Sequence, residues 1–245
     1  MTTAGRTAGG RRTAGGILSG LAVAVGCVLF LGGFVWAALL YQPYTVPTDS
    51  MEPTVNAGDR VLAQRIDGEE VRRGDVVVFT DSTWGDLPMI KRVVGVGGDK
   101  VVCCDADGRL TVNGEPLEEP YLRSTGPASP MEFTAEVPRG SVFLLGDRRN
   151  TSLDSREHLT DGGQGAVPAG AVSARVDAAV WPAGSFGMVS RPAPFAELSG
   201  GVSEPGPLRP LSLAAAAGVV LILAGAVHGP LARRAERRRA AGTGG

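Results

Sequence analysis

Of the 24 basic residues in the chain only two, Lys91 and Lys100, are lysine. Arginine serves solubility and ion pairing, and it cannot lose its proton in a protein. A buried lysine can become neutral and act as a base. Lys91 lies in the apolar run Met89–Val94, where loss of water lowers an amine's pKa. Period-2 alternation leaves open whether Lys91 or Arg92 points inward, so an edge lysine in solvent is the competing reading. A lysine base needs a nucleophile. Ser50 sits in Thr45-Val-Pro-Thr-Asp-Ser-Met-Glu-Pro-Thr54, between two prolines that keep the backbone extended or turned and fix the direction of its hydroxyl. Taken alone, such a serine is also what a plain linker carries. A histidine base could come only from His158, in a Gly-rich loop, because His228 closes an apolar run. The Ser-x-x-Lys pattern of penicillin-recognising enzymes is absent.

Other chemistries are excluded by composition. Three Cys and two His with no Cys-x-x-Cys cannot build a usual four-ligand zinc site, and no glycine-rich phosphate loop occurs. The two ends, 1–40 and 229–245, take eight Arg and one Glu of the 24 basic and 25 acidic residues, so the middle carries a net charge of −8. A nucleic-acid protein would need its basic excess on the folded part. Basic ends around an acidic middle instead suggest a membrane protein with both termini on one side.

The elements that must position Ser50 and Lys91 can be read in outline. Ile17–Tyr41 is a 25-residue run without a charge. As a helix it is about 37 Å long, enough to cross a bilayer core of about 30 Å. Arg6, Arg11 and Arg12 precede it, and Trp36, Tyr41 and Tyr44 sit at its far end as an aromatic belt would. A cleavable signal peptide would have a shorter apolar region and a small-x-small site, so an uncleaved anchor fits better. Residues 211–228 form a second apolar run before Arg233, Arg234 and Arg237–Arg239; it reads as a second span, with a helix lying on the membrane as the alternative. The expected organisation is a basic cytoplasmic N-terminus (1–16), an anchor (17–41), an extracytoplasmic domain (42–190), a Pro-rich linker without a packed core (191–210), a second transmembrane helix (211–228) and an Arg-rich cytoplasmic tail (229–245). Within the domain, 75–80, 89–94, 109–112 and 141–145 read as strands, and Asn113-Gly114 as a hairpin turn. The fold class is therefore mainly β, with an antiparallel sheet between two membrane helices.

Four segments in order, Ser50-Met-Glu-Pro-Thr54, Gly58–Ala63, Lys91–Gly95 with Gly98-Asp99, and Gly146–Arg156, resemble the boxes of bacterial type I signal peptidases, and Glu119-Pro-Tyr-Leu122 is similar too. The likeness covers roughly 42–180, and the second anchor with the Ala/Gly/Arg-rich composition resembles the actinobacterial branch. It implies a membrane-bound serine endopeptidase that removes signal peptides from exported preproteins, without a cofactor or metal. Ser50 would be the nucleophile and Lys91 the general base. The Ser50 N–H and the Thr48 hydroxyl would form an oxyanion hole, and Ser152 would hold the Lys91 amine. Asp147, Arg149, Asp154 and Arg156 would brace that geometry by ion pairs; the rival reading makes them a solvated loop. A signal peptide would add as a strand beside Tyr44–Thr48 and Met89–Ile90. Its small side chains at the −1 and −3 positions would enter pockets made by Tyr44, Val46, Met51, Met89 and Ile90, which could equally be core.

The implied partners are signal peptides, the lipid bilayer and the secretion translocon, with no nucleic acid. The implied place is the plasma membrane of a bacterium, with the catalytic domain on the outer face and both termini in the cytoplasm. Three departures stand out: Thr48-Asp49 where the family often has Ser and a small or acidic residue, Gly97 in place of a common Pro, and Arg148 where Asn is usual. Cys103 and Cys104 could form a vicinal disulfide, pair between molecules or stay free; Cys27 packs in the anchor. Two other functions fit parts of the pattern. One is a catalytically silent β module that binds exported chains. The other is a self-cleaving Ser–Lys enzyme like the repressor-cleavage family, whose cytoplasmic address conflicts with the anchors.

Overall fold

The computed structural model describes residues 14–123 and 126–242. Arg6, Arg11 and Arg12 lie outside the described residues, as do the side chains of Arg233 and Arg237–Arg239. The chain divides into a helical unit, ending at Leu39 and resuming at Pro207, and a β unit, Leu40–Gly206.

The helical unit holds α1 (Ala14–Leu40) and the long helix Leu208–Gly242. Leucine, alanine and valine without interior charge favour helices that satisfy their own backbone in lipid. Gly15–Leu40 and Leu208–Leu231 are each long and apolar enough to cross a membrane. The two helices meet through small residues. A Cβ on Gly26 would lie 2.8 Å from the Gly218 carbonyl oxygen, and one on Gly218 would lie 2.6 Å from that of Gly26. Nearby, the Ser19 hydroxyl donates to the Gly225 carbonyl at 2.6 Å. Such close backbone approach and interhelical hydrogen bonding hold helices together where no hydrophobic force acts between them.

Among the described residues the β unit contains twelve strands: β1 (Tyr41–Thr45), β2 (Arg60–Arg65), β3 (Val76–Phe79), β4 (Met89–Val96), β5 (Lys100–Cys103), β6 (Leu110–Val112), β7 (Glu115–Leu117), β8 (Phe133–Glu136), β9 (Ser141–Leu145), β10 (Val167–Pro168), β11 (Val172–Trp181) and β12 (Gly187–Met188). One sheet runs β1-β2-β11-β3-β4-β9-β10 with β12 beside β11; the other runs β7-β6-β5-β8. All pairings are antiparallel. The expected strands are present as β3, β4, β6 and β9. Asn113 (φ 56°) and Gly114 (φ 88°) form the two-residue turn between β6 and β7, with Val112 opposite Glu115. Both central residues of such a turn need positive φ, which asparagine and glycine tolerate.

β4 lies between β3 and β9, and this explains why alternation could not orient Lys91. Both Lys91 and Arg92 are buried, at 5% and 1% exposure, one toward each side of the sheet. The register leaves a gap. Met89–Arg92 all pair with β3, whereas β9 begins opposite Arg92, so along Met89–Lys91 the second backbone edge carries no β9 partner.

The structure corrects the reading of 191–210 as a coreless linker. Residues 191–206 belong to the β unit, and their short helix, α2 (Ala193–Glu197), puts Phe195 at 0% exposure in the core beneath the smaller sheet. The helix of the second apolar run is therefore α3 (Leu208–Gly242). Arg191 donates to Ser203 Oγ at 2.7 Å and Asp177 Oδ1 at 3.0 Å, and the Ser203 hydroxyl donates to Asp75. The prolines that suggested a spacer instead pre-set the backbone, lowering the entropy lost when the segment docks. Phe195→Ala should destabilise the protein by about 3–5 kcal/mol, the usual range for an emptied aromatic core site, read as a lowered denaturation midpoint.

Candidate active site

The prolines flanking Ser50 shape a turn rather than a strand: the Glu52 N–H donates to the Asp49 carbonyl at 3.0 Å and Val55 N–H to Met51 at 3.1 Å. Met51 and Val55 point into the core, and Ser50 in the same turn is itself buried, at 8% exposure. The third residue of β4 meets it there. Lys91 Nζ and Ser50 Oγ are hydrogen-bonded at 2.7 Å, and Thr48 Oγ1 lies 3.2 Å from the same Ser50 oxygen. The pair opens on a cleft of about 270 Å³ walled by Val46, Thr48, Met89, Ile90 and Leu153.

Burial holds the Lys91 amine below its ordinary 10.5, because a charged ammonium loses its water there. Asp154 and Asp147 oppose that shift and Arg156 reinforces it. The amine is therefore poised toward its neutral form beside a hydroxyl, the state a general base needs.

The Gly146–Arg156 segment packs against the Ser50 turn. The Asp154 carboxylate accepts from the Gly146 N–H at 2.9 Å and from Arg156 Nε and Nη2, both at 2.8 Å. Arg148 N–H donates to the Ser50 carbonyl at 3.0 Å. Asp147 receives Arg92 at 2.8 and 2.7 Å and the Thr54 hydroxyl at 2.5 Å. Arg149 grips Glu119 at 2.8 and 2.5 Å and the Gly146 carbonyl at 3.0 Å. These charges are buried and mutually paired, which excludes the solvated-loop alternative.

Ser152 departs from expectation. Its hydroxyl bonds the Leu153 carbonyl at 3.5 Å, and among the described residues it makes no hydrogen bond to Lys91. Ser152 packs instead on Gly146: a Cβ there would lie 2.0 Å from Ser152 Oγ and 2.6 Å from the Ser50 carbonyl oxygen. Only glycine lets these two loops close on each other. The pocket residues also divide. Val46, Met51, Met89 and Ile90 border the cleft, with Val46, Met51 and Ile90 simultaneously in the core, whereas Tyr44 packs on the core from β1 and does not line the cleft.

His158, the rival base, stacks on Trp84 at 4.6 Å between ring centroids and bonds Asp161 at 2.9 Å. Gly97 is hemmed in by the 138–140 backbone, where a Cβ would sit 2.9 Å from Arg139 Cα, so the turn after β4 is tight. Cys103 and Cys104 are bonded to each other. Arg92, Glu119, Tyr121 and Gly146 are the residues whose roles sequence reasoning missed. Glu119 and Tyr121 stood in a recognisable short box, and Arg92 was hidden by the ambiguity over which β4 side chain turned inward. Its guanidinium lies 4.3 Å from the Tyr121 ring centroid.

The mainly antiparallel β unit thus sets a buried amine on a serine hydroxyl, in a chain with two membrane-length apolar helices. Residues 18–181 match the family "Signal peptidase, peptidase S26", and the chain belongs to that family. It is similar to a probable signal peptidase I of Mycobacterium leprae, 31% identical over 64% of this chain and 74% of the relative. A signal peptidase I of Bacillus licheniformis is 36% identical over 50% of this chain and 69% of its own. A crystal structure of a signal peptidase I from Enterococcus faecalis V583 overlaps 42% of this chain and 94% of its own at 29% identity, with a TM-score of 0.36. The protein is thus a membrane-associated serine protease that processes signal peptides.

Proposed function

We propose that Ser50 and Lys91 form the catalytic dyad and that the chain cleaves preproteins after small-x-small sites on the outer face of a bacterial plasma membrane. The observation that carries this is the 2.7 Å contact between a desolvated amine and the only hydroxyl it bonds among the described residues. Neutral Lys91 takes the Ser50 proton as Oγ attacks the scissile carbonyl carbon; the ammonium then protonates the departing amine, leaving an acyl-enzyme on Ser50. Lys91 next deprotonates a water that hydrolyses the ester. Thr48 Oγ1 and the Ser50 N–H stabilise the developing oxyanion, each donor contributing about 3–4 kcal/mol. The bracing role falls to Asp147, Arg149, Asp154 and Arg156, which keep their charges paired away from the cleft.

The free β4 edge at Met89–Lys91 supports strand addition by the substrate, with the walls near Val46, Met89 and Ile90 limiting side-chain size. The span 211–228 and two cytoplasmic termini complete the reading, on the strength of the arginine clusters outside each apolar run, and preproteins crossing that membrane through the secretion translocon are the substrates the reading requires. Purified full-length protein in liposomes should cut a preprotein bearing Ala-x-Ala and leave one bearing Phe at the −1 position intact. Ser50→Ala should abolish the cut. Cleavage that survives Ser50→Ala would refute the dyad.

A further inference from the structure

The mechanism does not use Arg148, yet this residue holds the nucleophile turn from two directions. Its main-chain N–H donates to the carbonyl of Ser50 itself at 3.0 Å. Its guanidinium reaches the two acids that flank Ser50: Nη1 pairs with Asp49 and lies 3.5 Å from Glu52 Oε2. Asp49 also borders the cleft. These acids stand at the ends of one tight turn, closed by the Glu52 N–H on the Asp49 carbonyl, so two like charges face each other across three residues. Without a cation between them, their repulsion works to open the turn that carries Ser50. All three side chains are partly in solvent, with Arg148 at 44%, Asp49 at 48% and Glu52 at 30% exposure. Exposed pairs add little to global stability, so the contribution of this cluster is local.

We propose that Arg148 is a positioning residue: by neutralising Asp49 and Glu52 it keeps the Ser50 turn closed against the Gly146–Ser152 loop, with Oγ held toward the amine. The inference rests on Ser50 as nucleophile. An amide side chain at this position could not neutralise two carboxylates. The strap is therefore a property of this chain's own combination of Asp49, Glu52 and Arg148.

The test compares Arg148→Gln and Arg148→Lys in two backgrounds, wild type and Asp49→Asn/Glu52→Gln, using the full-length protein and one preprotein. In wild type, Arg148→Gln should lower kcat about three- to tenfold, the loss expected from two exposed ion pairs, with KM within about twofold. Arg148→Lys should recover most of that loss. Without the acids, Arg148→Gln should change kcat by less than about twofold, since there is no repulsion left to relieve. A full loss in both backgrounds would show a merely structural side chain and overturn the inference, as would an unchanged kcat in wild type. Ser50→Ala run alongside separates the two ideas. Residual cleavage there sinks the dyad, whereas a dead Ser50→Ala with a fully active Arg148→Gln sinks only the strap.

Discussion

Lys91→Met is expected to cut kcat by about 10²–10⁴-fold, the span a positioned general base supplies, while making the protein more stable. Met fills much the same volume without an amine to desolvate. The pH dependence follows from the direction of the Lys91 shift. In the unfolded chain the amine is protonated below its ordinary 10.5, and in the fold it is held neutral to a lower pH. Folding therefore releases a proton in that window. Falling pH disfavours the wild-type fold from the unfolded value down to the folded one, and below that the penalty is constant. The stability gap between variant and wild type should accordingly widen as pH falls through the window and then level off. Wild-type activity should move the other way, rising with pH as Lys91 loses its proton. A kcat/KM flat from about pH 5 to 9 would contradict the base role.

Asp147→Ala carries the second large effect, on stability rather than chemistry. Arg92 is 1% exposed, and its partners are the Asp147 carboxylate, the Gly74 carbonyl at 2.7 Å and Thr54 Oγ1 at 3.1 Å. Asp147 helps hold that guanidinium charged, raising its pKa against the burial that would lower it. Removing the carboxylate strands a cation in the interior at a cost of about 3–5 kcal/mol. Urea denaturation should show the midpoint falling accordingly. The double variant Asp147→Leu/Arg92→Met should recover much of the loss, since an apolar pair of similar volume replaces a broken ion pair at little cost. If Asp147→Ala proved as stable as wild type, the buried pair would have no structural weight.

The parts legible in the sequence were those that a local rule governs. Uninterrupted apolar length marked both membrane-length helices, β-branched runs marked β3 and β4, and Asn113-Gly114 marked its turn. The strands that escaped notice follow other rules. β11 reads Val-Ser-Ala-Arg-Val-Asp-Ala-Ala-Val-Trp, and its register slips at Val176/Ala178 and Ala179/Trp181 break the alternation that would have marked it. Ser50 and Lys91 could be picked out because residue types and ordered boxes singled them out. Arg92 and Ser152 were harder. Burial on both sides of β4 and the close approach of two loops over Gly146 are tertiary facts with no signal at the residues themselves. Phe195 was hidden for the opposite reason, a strong local signal from prolines that a single buried ring overrode.

The two places where the β unit hands its chain to the helices share one side chain. Tyr41 donates its hydroxyl to Asp177 Oδ2 at 3.0 Å, and a Cβ on Gly206 would lie 2.2 Å from that same oxygen. Residues 40–206 thus begin and end at one spot on their own surface. A short peptide bridge could close that spot and new ends could be opened at a distant hairpin, giving a circularly permuted β unit, free of α1 and α3, whose strand register is untouched.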